Sequence, residues 1–340
     1  MSTDSPDSAF AESKQAQVEQ FRERFTALQK EIGRVIVGQQ ETVNRMLTAM
    51  VAGGHILLEG VPGLGKTLVV KCFAEALGLS FKRIQCTPDL MPADILGTRM
   101  LLDDGHGAMK FEFSKGPVFC NLLLADEINR ATPKTQSALL EAMQERSVTI
   151  GGTTYPLDLP YFVLATQNPI EQEGTYPLPE AQLDRFTFKL TVNYPSRDEF
   201  ELIMNRTTGE KMPEIQPAFD GKELVAMGQL AREVPVPELV QSRAIELVMA
   251  THPETPYATD SVRRYIRFGA SPRAGQAMLL TAKIRALAAG RYHVATEDIL
   301  AVAEPVLNHR VITNFEAQAD GVTIPKLLAE LFAEKQKTWV

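Results

Sequence analysis

The segment Gly60 to Thr67 combines glycines, a lysine and a hydroxyl side chain at a spacing that can hold phosphate groups. It reads GVPGLGKT and fits the pattern G-x-x-x-x-G-K-[ST] in full. Glycines here permit positive φ angles, so that backbone N–H groups can close around phosphate oxygens. Lys66 would reach the β- and γ-phosphates of a nucleotide, and the Thr67 hydroxyl would bind Mg²⁺. The residues predicted to contact the nucleotide are Val61, Pro62, Gly63, Leu64, Gly65, Lys66, Thr67 and Leu68.

Two neighbouring carboxylates follow an apolar run further along the chain. The run Asn121 to Ala125 is typical of a buried strand, and Asp126 and Glu127 come directly after it. In open parallel sheets, ligands collect at the carboxyl ends of the strands, where these side chains would lie. We expect Asp126 to hold Mg²⁺, directly or through water, and Glu127 to polarise the water that attacks the γ-phosphate. A solvated acidic turn is the alternative, which the phosphate loop upstream makes the weaker one.

Three more polar side chains are candidates for the same reaction. Asn168 ends a fourth strand, and its amide could bind the attacking water or the γ-phosphate, although an Asn-Pro turn is equally consistent with the sequence. Arg185 precedes a fifth strand, and Arg273 lies at the start of a later helix. Each could stabilise negative charge in a transition state. A single arginine more often forms a surface ion pair, so only the order of the motifs favours the catalytic role.

The elements that must position these residues follow an alternating pattern. Apolar runs separated by helices predict a parallel sheet covered on both faces, in an α/β core over 35–195. The predicted strands are 55–59, 81–86, 120–126, 161–165 and 187–192, with hairpins at 101–113, around the turn 103–107, and at 147–156. Before the core we predict a disordered tail over 1–8 and an amphipathic helix, within a segment 1–34. After it come a linker, 196–220, and an all-α domain over 221–340 with helices at 222–232, 237–251, 259–267, 272–289, 296–308 and 324–336.

Composition limits the class of protein. The 340 residues are 44% hydrophobic and 23% charged, with a formal net charge of −7. This acidic balance disfavours a polyanion as the main partner. The three cysteines have no metal-site spacing and are typical of free thiols in a reducing compartment. The sequence has no apolar run of membrane-spanning length and no secretory signal, so we expect a cytoplasmic protein.

The order of the motifs resembles that of the AAA+ ATPases, and several strings resemble the MoxR family. These strings are GVPGLGKT, LADEINRA at 124–131, ATQNP at 165–169, GTYPLPEAQLDRF at 174–186 and GASPRA at 269–274. The resemblance implies a P-loop NTPase αβα core with a five-stranded parallel sheet and a C-terminal all-α lid. It also implies ATP and Mg²⁺ as ligands and a ring, usually hexameric, with ATP bound at the subunit interfaces.

The resemblance also assigns roles to individual residues. Gly38 and Gln39 match the segment that lines the adenine. Asn168 takes the role of first sensor, and Arg273 that of second sensor, acting on the ATP of its own subunit. Arg185 matches the arginine finger, which acts on the ATP of a neighbouring subunit. The loop residue Arg130 is a further interface candidate, and the pair His309-Arg310 resembles one that recurs near the end of the lid, without a role that we can assign.

The resemblance implies chaperone-like work. MoxR-type ATPases mature or activate other proteins, frequently partners with von Willebrand A domains. The hairpin at 147–156 resembles the helix-2 insert of the AAA+ clade that includes these proteins, which faces the centre of the ring. Alternatives within the clade are a nucleic-acid motor or the motor subunit of a chelatase. The nucleic-acid motor is disfavoured because the hairpin carries neither lysine nor arginine at its tip.

Overall fold

A five-stranded parallel sheet lies at the centre of the first half of the chain. The computed structural model describes residues 6–103, 109–169, 174–209 and 213–339. The strands are β1 (His55–Glu59), β2 (Phe81–Gln85), β3 (Gly97–Asp103), β4 (Met109–Lys115), β5 (Leu122–Asp126), β6 (Ser147–Ile150), β7 (Thr153–Pro156), β8 (Phe162–Gln167), β9 (Phe186–Thr191), β10 (Ile266–Phe268) and β11 (Ile312–Thr313). The central sheet has the order β2-β5-β8-β1-β9, with every pair parallel. The predicted AAA+ core with its five-stranded parallel sheet is therefore confirmed.

Helices cover both faces of this sheet and form the second half of the chain. They are α1 (Pro6–Val35), α2 (Gln40–Val51), α3 (Lys66–Ala76), α4 (Pro92–Leu96), α5 (Pro133–Glu145), α6 (Glu180–Leu183), α7 (Arg197–Thr208), α8 (Gly221–Glu233), α9 (Glu238–Ala250), α10 (Asp260–Tyr265), α11 (Pro272–Ala288), α12 (Thr296–Leu307), α13 (Phe315–Ala319) and α14 (Ile324–Thr338). A single 3-10 turn, Ile128–Arg130, follows β5. No helix in the described ranges has both the length and the apolar character needed to cross a membrane.

Alternate residues of the three inner strands, β1, β5 and β8, enter two different hydrophobic cores. In β1, Ile56 and Leu58 pack into a core shared with α1, α2, α3 and the C-terminal helices. Leu57 packs into the other core, with α4 and α5. Successive side chains of a strand point to opposite faces, so a sheet covered on both faces needs continuous apolar runs. This is why the core strands could be recognised from their composition.

Two antiparallel hairpins project from the core. Strands β3 and β4 pair from Gly97 with Lys115 to Asp103 with Met109, and most of the predicted turn between them lies outside the described residues. Strands β6 and β7 pair around Gly151 and Gly152. The ring of Phe113 on β4 stacks on Tyr155 on β7, with ring centroids 4.2 Å apart, so the two hairpins share one surface.

The position of these hairpins corrects one expectation. The hairpin β6–β7 follows α5, the third core helix, which comes after the acidic strand β5. The hairpin β3–β4 directly follows α4, the helix after the second core strand. The hairpin next to the second core helix is therefore β3–β4, and the placement of 147–156 at that helix was wrong.

The C-terminal half, called the lid here, is helical with one small exception. Helices α8 to α12 and α14 lie close to the predicted ones. Strands β10 and β11 also form a two-stranded antiparallel sheet, which the expectation of an all-α domain missed. Strands of three and two residues are too short to show an alternating pattern.

The N-terminal helix α1 braces the molecule. It begins at Pro6, so the expectation of disorder through residue 8 was wrong for its last three residues, while residues 1–5 lie outside the described part. One face of α1 is buried against both core and lid. Lys14 forms an ion pair with Glu233, and Arg24 with Glu223, both on α8. The helix therefore docks on its own subunit and ties the lid to the core.

Candidate active site

The phosphate loop lies between β1 and α3, as its flanking sequence predicts. Gly63 has a φ of 84° and Gly65 a φ of 74°, the left-handed region that favours glycine. A Cβ atom at either position would meet no described atom within 4 Å, so the space above the loop is open to a ligand. The loop thus has the backbone conformation and the free space that a phosphate cradle needs.

Lys66 lies at the start of α3, beside the acidic strand. Its ammonium group donates to the carbonyl oxygen of Gly60. Burial lowers the pKa of Lys66, and the negative charges of Asp126 and Glu127 partly oppose this shift. A lysine that is held by one carbonyl and desolvated is available to bind an anion, which would replace lost hydration.

Asp126 ends β5 and has a partner on each side. Its Oδ1 accepts a hydrogen bond from the hydroxyl of Thr166 on β8, and its Oδ2 lies 2.6 Å from Nη2 of Arg83 on β2. The carboxylate of Asp126 and the hydroxyl of Thr67 are oxygen ligands of the type that Mg²⁺ prefers. The positively charged side chains of Arg83 and Lys66 lie beside Asp126, as is expected at a site that binds strongly negative groups. The residues present therefore fit a Mg²⁺–nucleotide complex.

Glu127 is held firmly beside Asp126. Its φ of 55° is unusual for a residue other than glycine, and its N–H donates to Thr166 Oγ1 over 2.8 Å. Its carboxylate oxygen Oε2 accepts from Gln85 Nε2 over 2.8 Å and from Arg130 Nη1 over 3.0 Å. Arg130, the interface candidate, thus contacts the predicted base of its own subunit.

Sequence reasoning missed Arg83, Gln85 and Thr166. A signal was present, because Gln85 is the register partner of Asp126, and β8 is the other neighbour of β5. Polar residues at the carboxyl ends of strands adjacent to an acidic strand are candidates for its support. Recognising them required the order of the strands in the sheet, which no single motif contains.

Asn168 lies where the sequence placed it. It follows β8, which lies between the acidic strand β5 and the phosphate-loop strand β1. Asn168 is buried. Its amide is therefore positioned between the two strand ends that would flank a γ-phosphate.

An apolar cavity of about 280 Å³ adjoins the phosphate loop. Gln39 lines it, with a left-handed φ of 54° and a hydrogen bond from Nε2 to the carbonyl oxygen of Leu64 over 3.3 Å. Gly38, which has a φ of 66°, precedes it. Tyr194 and Phe200 also line the cavity. Phe200 lies on α7, inside the predicted linker, where the sequence did not indicate a role in nucleotide binding. The cavity suits a flat apolar ring beside bound phosphates.

Arg185 and Arg273 lie at the other edge of the sheet. Arg185 precedes β9, whose Phe186 pairs with His55 at the beginning of β1. The phosphate loop follows the far end of that five-residue strand, a separation of about 16 Å along the strand. Arg273 shares a cavity of about 470 Å³ with Arg185, and its Nε lies 4.0 Å from Asp184.

This arrangement contradicts the expectation that Arg273 acts on the ATP of its own subunit. The start of α11 is fixed to the amino edge of β9, because Ser271 Oγ donates to Asp184 Oδ2 over 2.8 Å. Both arginines therefore face away from the phosphate loop of their own chain. No sequence pattern indicates this position, because a local pattern does not show on which edge of the core the lid packs.

Comparison with known proteins agrees with this architecture. Residues 55–188 match the model of the ATPase family associated with various cellular activities (AAA), and residues 259–331 match that of the AAA lid domain. No cluster of three or more histidine, cysteine or acidic side chains that could hold a metal occurs among the described residues.

Individual relatives extend over most of the chain. The chain is 45% identical over 293 residues to the chaperone MoxR1 of Mycobacterium tuberculosis, covering 86% of this chain and 77% of that protein. It is 40% identical over 305 residues to the uncharacterized protein YeaC of Bacillus subtilis, covering 89% and 91%. A crystal structure from Cytophaga hutchinsonii matches with a TM-score of 0.88 and 43% identity, over 97% of this chain and 98% of that one. The chain therefore belongs to the MoxR family of AAA+ ATPases.

Proposed function

We propose that this ATPase hydrolyses ATP at the interfaces of a homo-oligomeric ring, hexameric in this proposal, and uses the energy to remodel partner proteins. One observation supports the proposal that hydrolysis takes place at subunit interfaces. The chain has a phosphate loop and two acids at one sheet edge, and two candidate transition-state arginines at the opposite edge. Head-to-tail contacts within a closed ring bring opposite edges of neighbouring subunits together.

The residues at the carboxyl edge would bind the nucleotide and direct the water. Lys66 exchanges its bond to the Gly60 carbonyl for the β- and γ-phosphates. Mg²⁺ held by Thr67 and Asp126 would neutralise developing charge on the phosphate oxygens. Glu127 and Asn168 orient the attacking water between them.

The arginines complete the site of the adjacent subunit. Arg185 and Arg273 together stabilise charge that develops on the neighbour's γ-phosphate. Arg273 thus acts in trans with Arg185 in this proposal. Loss of the γ-phosphate would release the contact and allow the lid to move against the neighbouring core.

The work on partner proteins is proposed from the paired hairpins. Three exposed apolar side chains share one face of β3–β4, with Met109 at 61% and Phe111 at 65%, and Leu101 opposite Phe111. A methionine, a leucine and an aromatic ring on one face form an adaptable apolar surface that suits protein segments. MoxR1 is named a chaperone, and the family resemblance suggests clients with von Willebrand A domains. A cytoplasmic location, with the three cysteines buried and free, is part of the same proposal.

Steady-state ATP hydrolysis across a range of protein concentrations tests the interface mechanism. We expect specific activity to rise with concentration and to fall sharply in Arg185→Ala. Arg22→Ala is the matched control, because Arg22 is exposed on α1 and pairs only with the nearby Glu19 in the described structure. Activity that depends on neither concentration nor Arg185 would overturn the proposal.

Aggregation of chemically denatured citrate synthase tests the protein-client part. We expect the ATPase with ATP to suppress aggregation and Phe111→Ser to weaken that suppression while basal ATP hydrolysis persists. Single-stranded DNA serves as the contrasting probe. Tight binding to it that weakens steeply with salt, without any effect on aggregation, would favour the nucleic-acid motor instead.

A further inference from the structure

Arg310, near the end of the lid, donates all five of its guanidinium N–H groups. Its Nε bonds to Asp184 Oδ1 over 2.7 Å, and Nη2 bonds to the carbonyl oxygens of Asp184 and Phe186 over 3.1 and 2.6 Å. Its Nη1 bonds to the carbonyl oxygens of Thr187 and Val306. Four of these five bonds reach the segment 184–187, which contains Arg185. Arg310 thus forms hydrogen bonds with the backbone on both sides of Arg185, the predicted arginine finger.

This contact is buried and leaves little freedom. The side chain of Arg310 is 3% exposed, so each of its donors needs a protein acceptor. His309 donates from Nε2 to the same Phe186 carbonyl over 2.9 Å, which fixes its tautomer because a carbonyl oxygen only accepts. A buried guanidinium with one carboxylate and several carbonyl partners is geometrically specific.

Asp184 links the contact to the second arginine. Its Oδ1 accepts from Arg310, and its Oδ2 accepts from Ser271 and lies 4.0 Å from Arg273. One carboxylate therefore joins the end of α12, the start of α11 and the finger segment. Arg185 Nε itself has no hydrogen-bond partner among the described residues, so its anchored neighbours do the positioning.

We propose that Arg310 is a positioning residue that holds Arg185 and Arg273 as one rigid pair for the ATP site of the neighbouring subunit. It touches neither nucleotide nor water. It makes the lid and the finger segment move together, so that a displacement of the lid withdraws the finger. This inference rests on the proposed function, because it takes Arg185 to act in trans.

The conservative variant Arg310→Lys separates charge from geometry. Lysine keeps the ion pair with Asp184 but has three donors in place of five and lacks the planar fork. We expect kcat to fall about 10- to 100-fold through misplacement of the finger. The KM for ATP should change little, since the nucleotide cavity lies at the other edge of the sheet.

Mixing experiments distinguish positioning from a general structural role. Arg310→Lys mixed with Glu127→Gln should regain activity, because intact sites of the first then meet intact fingers of the second. In a random ring, roughly a quarter of interfaces would be competent. Arg310→Lys mixed with Arg185→Ala should stay low, because neither subunit supplies a well-placed finger. Recovery in the second mixture, or none in the first, would overturn the inference.

Two reference measurements allow the activities of these mixtures to be interpreted. Arg185→Ala mixed with Glu127→Gln must regain activity if catalysis is completed in trans, so failure of that mixture contradicts the proposed function and not the role of Arg310. Arg291→Lys is the matched control, because Arg291 makes a two-bond ion pair with Asp298 inside the lid and no described contact with 184–187. Its activity should equal that of the wild type.

A second variant covers loss of folding. If circular dichroism shows Arg310→Lys to be unfolded, Asp184→Asn replaces it in both mixtures, since it removes the charge that Arg310, Ser271 and Arg273 share and keeps an acceptor oxygen. Asp184→Asn with wild-type activity would then overturn the inference.

Discussion

The two edges of the central sheet are built differently. At the carboxyl edge, Asp126 ends β5, while Glu127 and the phosphate loop come directly after their strands. The two acids are bonded by residues of the adjacent strands. At the amino edge, Arg185 is positioned by Arg310, which is more than a hundred residues away in the chain. The first edge depends on local backbone conformation, and the second depends on how the lid docks.

The residues at the two edges of the sheet also differ in how far they are exposed to solvent. The glycines of the phosphate loop face open space, whereas the side chain of Arg310 is almost completely buried. A site that receives a ligand must stay open, while a finger that reaches into a neighbour must be held rigidly from behind.

The largest effect is expected at the carboxyl edge. Glu127→Gln removes the carboxylate proposed to polarise the attacking water. It keeps the size of the side chain and an oxygen that can accept the hydrogen bond from Gln85. We expect kcat to fall by about 10²- to 10⁴-fold while ATP binding persists. Single-turnover hydrolysis and binding of a fluorescent ATP analogue measure the two quantities. Hydrolysis at the wild-type rate would remove Glu127 from the mechanism.

His55 at the amino edge predicts a pH dependence of stability. Burial lowers its pKa to about 4, and it donates to Met143 O and accepts from Val163 N. Since the pKa is lower in the folded state, stability is full above pH 6.5 and falls as the pH drops toward 4, by about 3 kcal/mol from this residue. Urea unfolding at several pH values measures it.

The control for this prediction is His55→Gln, which can keep one donor and one acceptor without titrating. Its free energy of unfolding should depend less steeply on pH between 6.5 and 4 than that of the wild type. Equal slopes would mean that His55 does not dominate acid sensitivity at this edge. The absolute stability of the variant does not enter this comparison.

The apolar cavity predicts a smaller effect confined to binding. Phe200→Ala removes an aromatic wall, so we expect the Kd for ATP to rise by roughly 5- to 30-fold, equivalent to about 1–2 kcal/mol of lost burial. kcat should be nearly unchanged because the catalytic groups lie beyond the phosphate loop. Calorimetric titration with ATP and ADP measures the affinity. A change in kcat without a change in Kd would contradict the placement of the adenine ring in this cavity.

The smallest effect concerns the metal. Arg83 pairs with Asp126 at a half-exposed position and would compete with Mg²⁺ for the same oxygen. Arg83→Ala should therefore lower the Mg²⁺ concentration for half-maximal nucleotide binding by about 2- to 5-fold, the scale of an exposed ion pair. Arg45→Ala, which removes the ion pairs of Arg45 with Glu41 and Glu304, is the control. An increased Mg²⁺ requirement in Arg83→Ala would indicate that Arg83 supports metal binding.

Most of the core could be predicted from the sequence because its signals are local. The strand composition, the glycines of the loop and the paired acids each occupy a few consecutive residues. The supporting residues Arg83, Gln85 and Thr166 escaped because their relevance depends on strand order. Phe200 escaped because α7 returns to the nucleotide cavity from the predicted linker, and Tyr194 escaped because it lies between β9 and α7, outside any motif.

The fold class followed from the sequence alone, and the sequence also predicted the nucleotide-binding residues and both arginines, since these signals are short motifs with their own backbone requirements. The packing of the whole chain was needed to show which edge each arginine occupies, what His309 and Arg310 contact, and which hairpin follows the second core helix. These facts depend on contacts between segments more than eighty residues apart or on the order of elements around the sheet. Such contacts result from the packing of whole faces, which a local pattern does not specify.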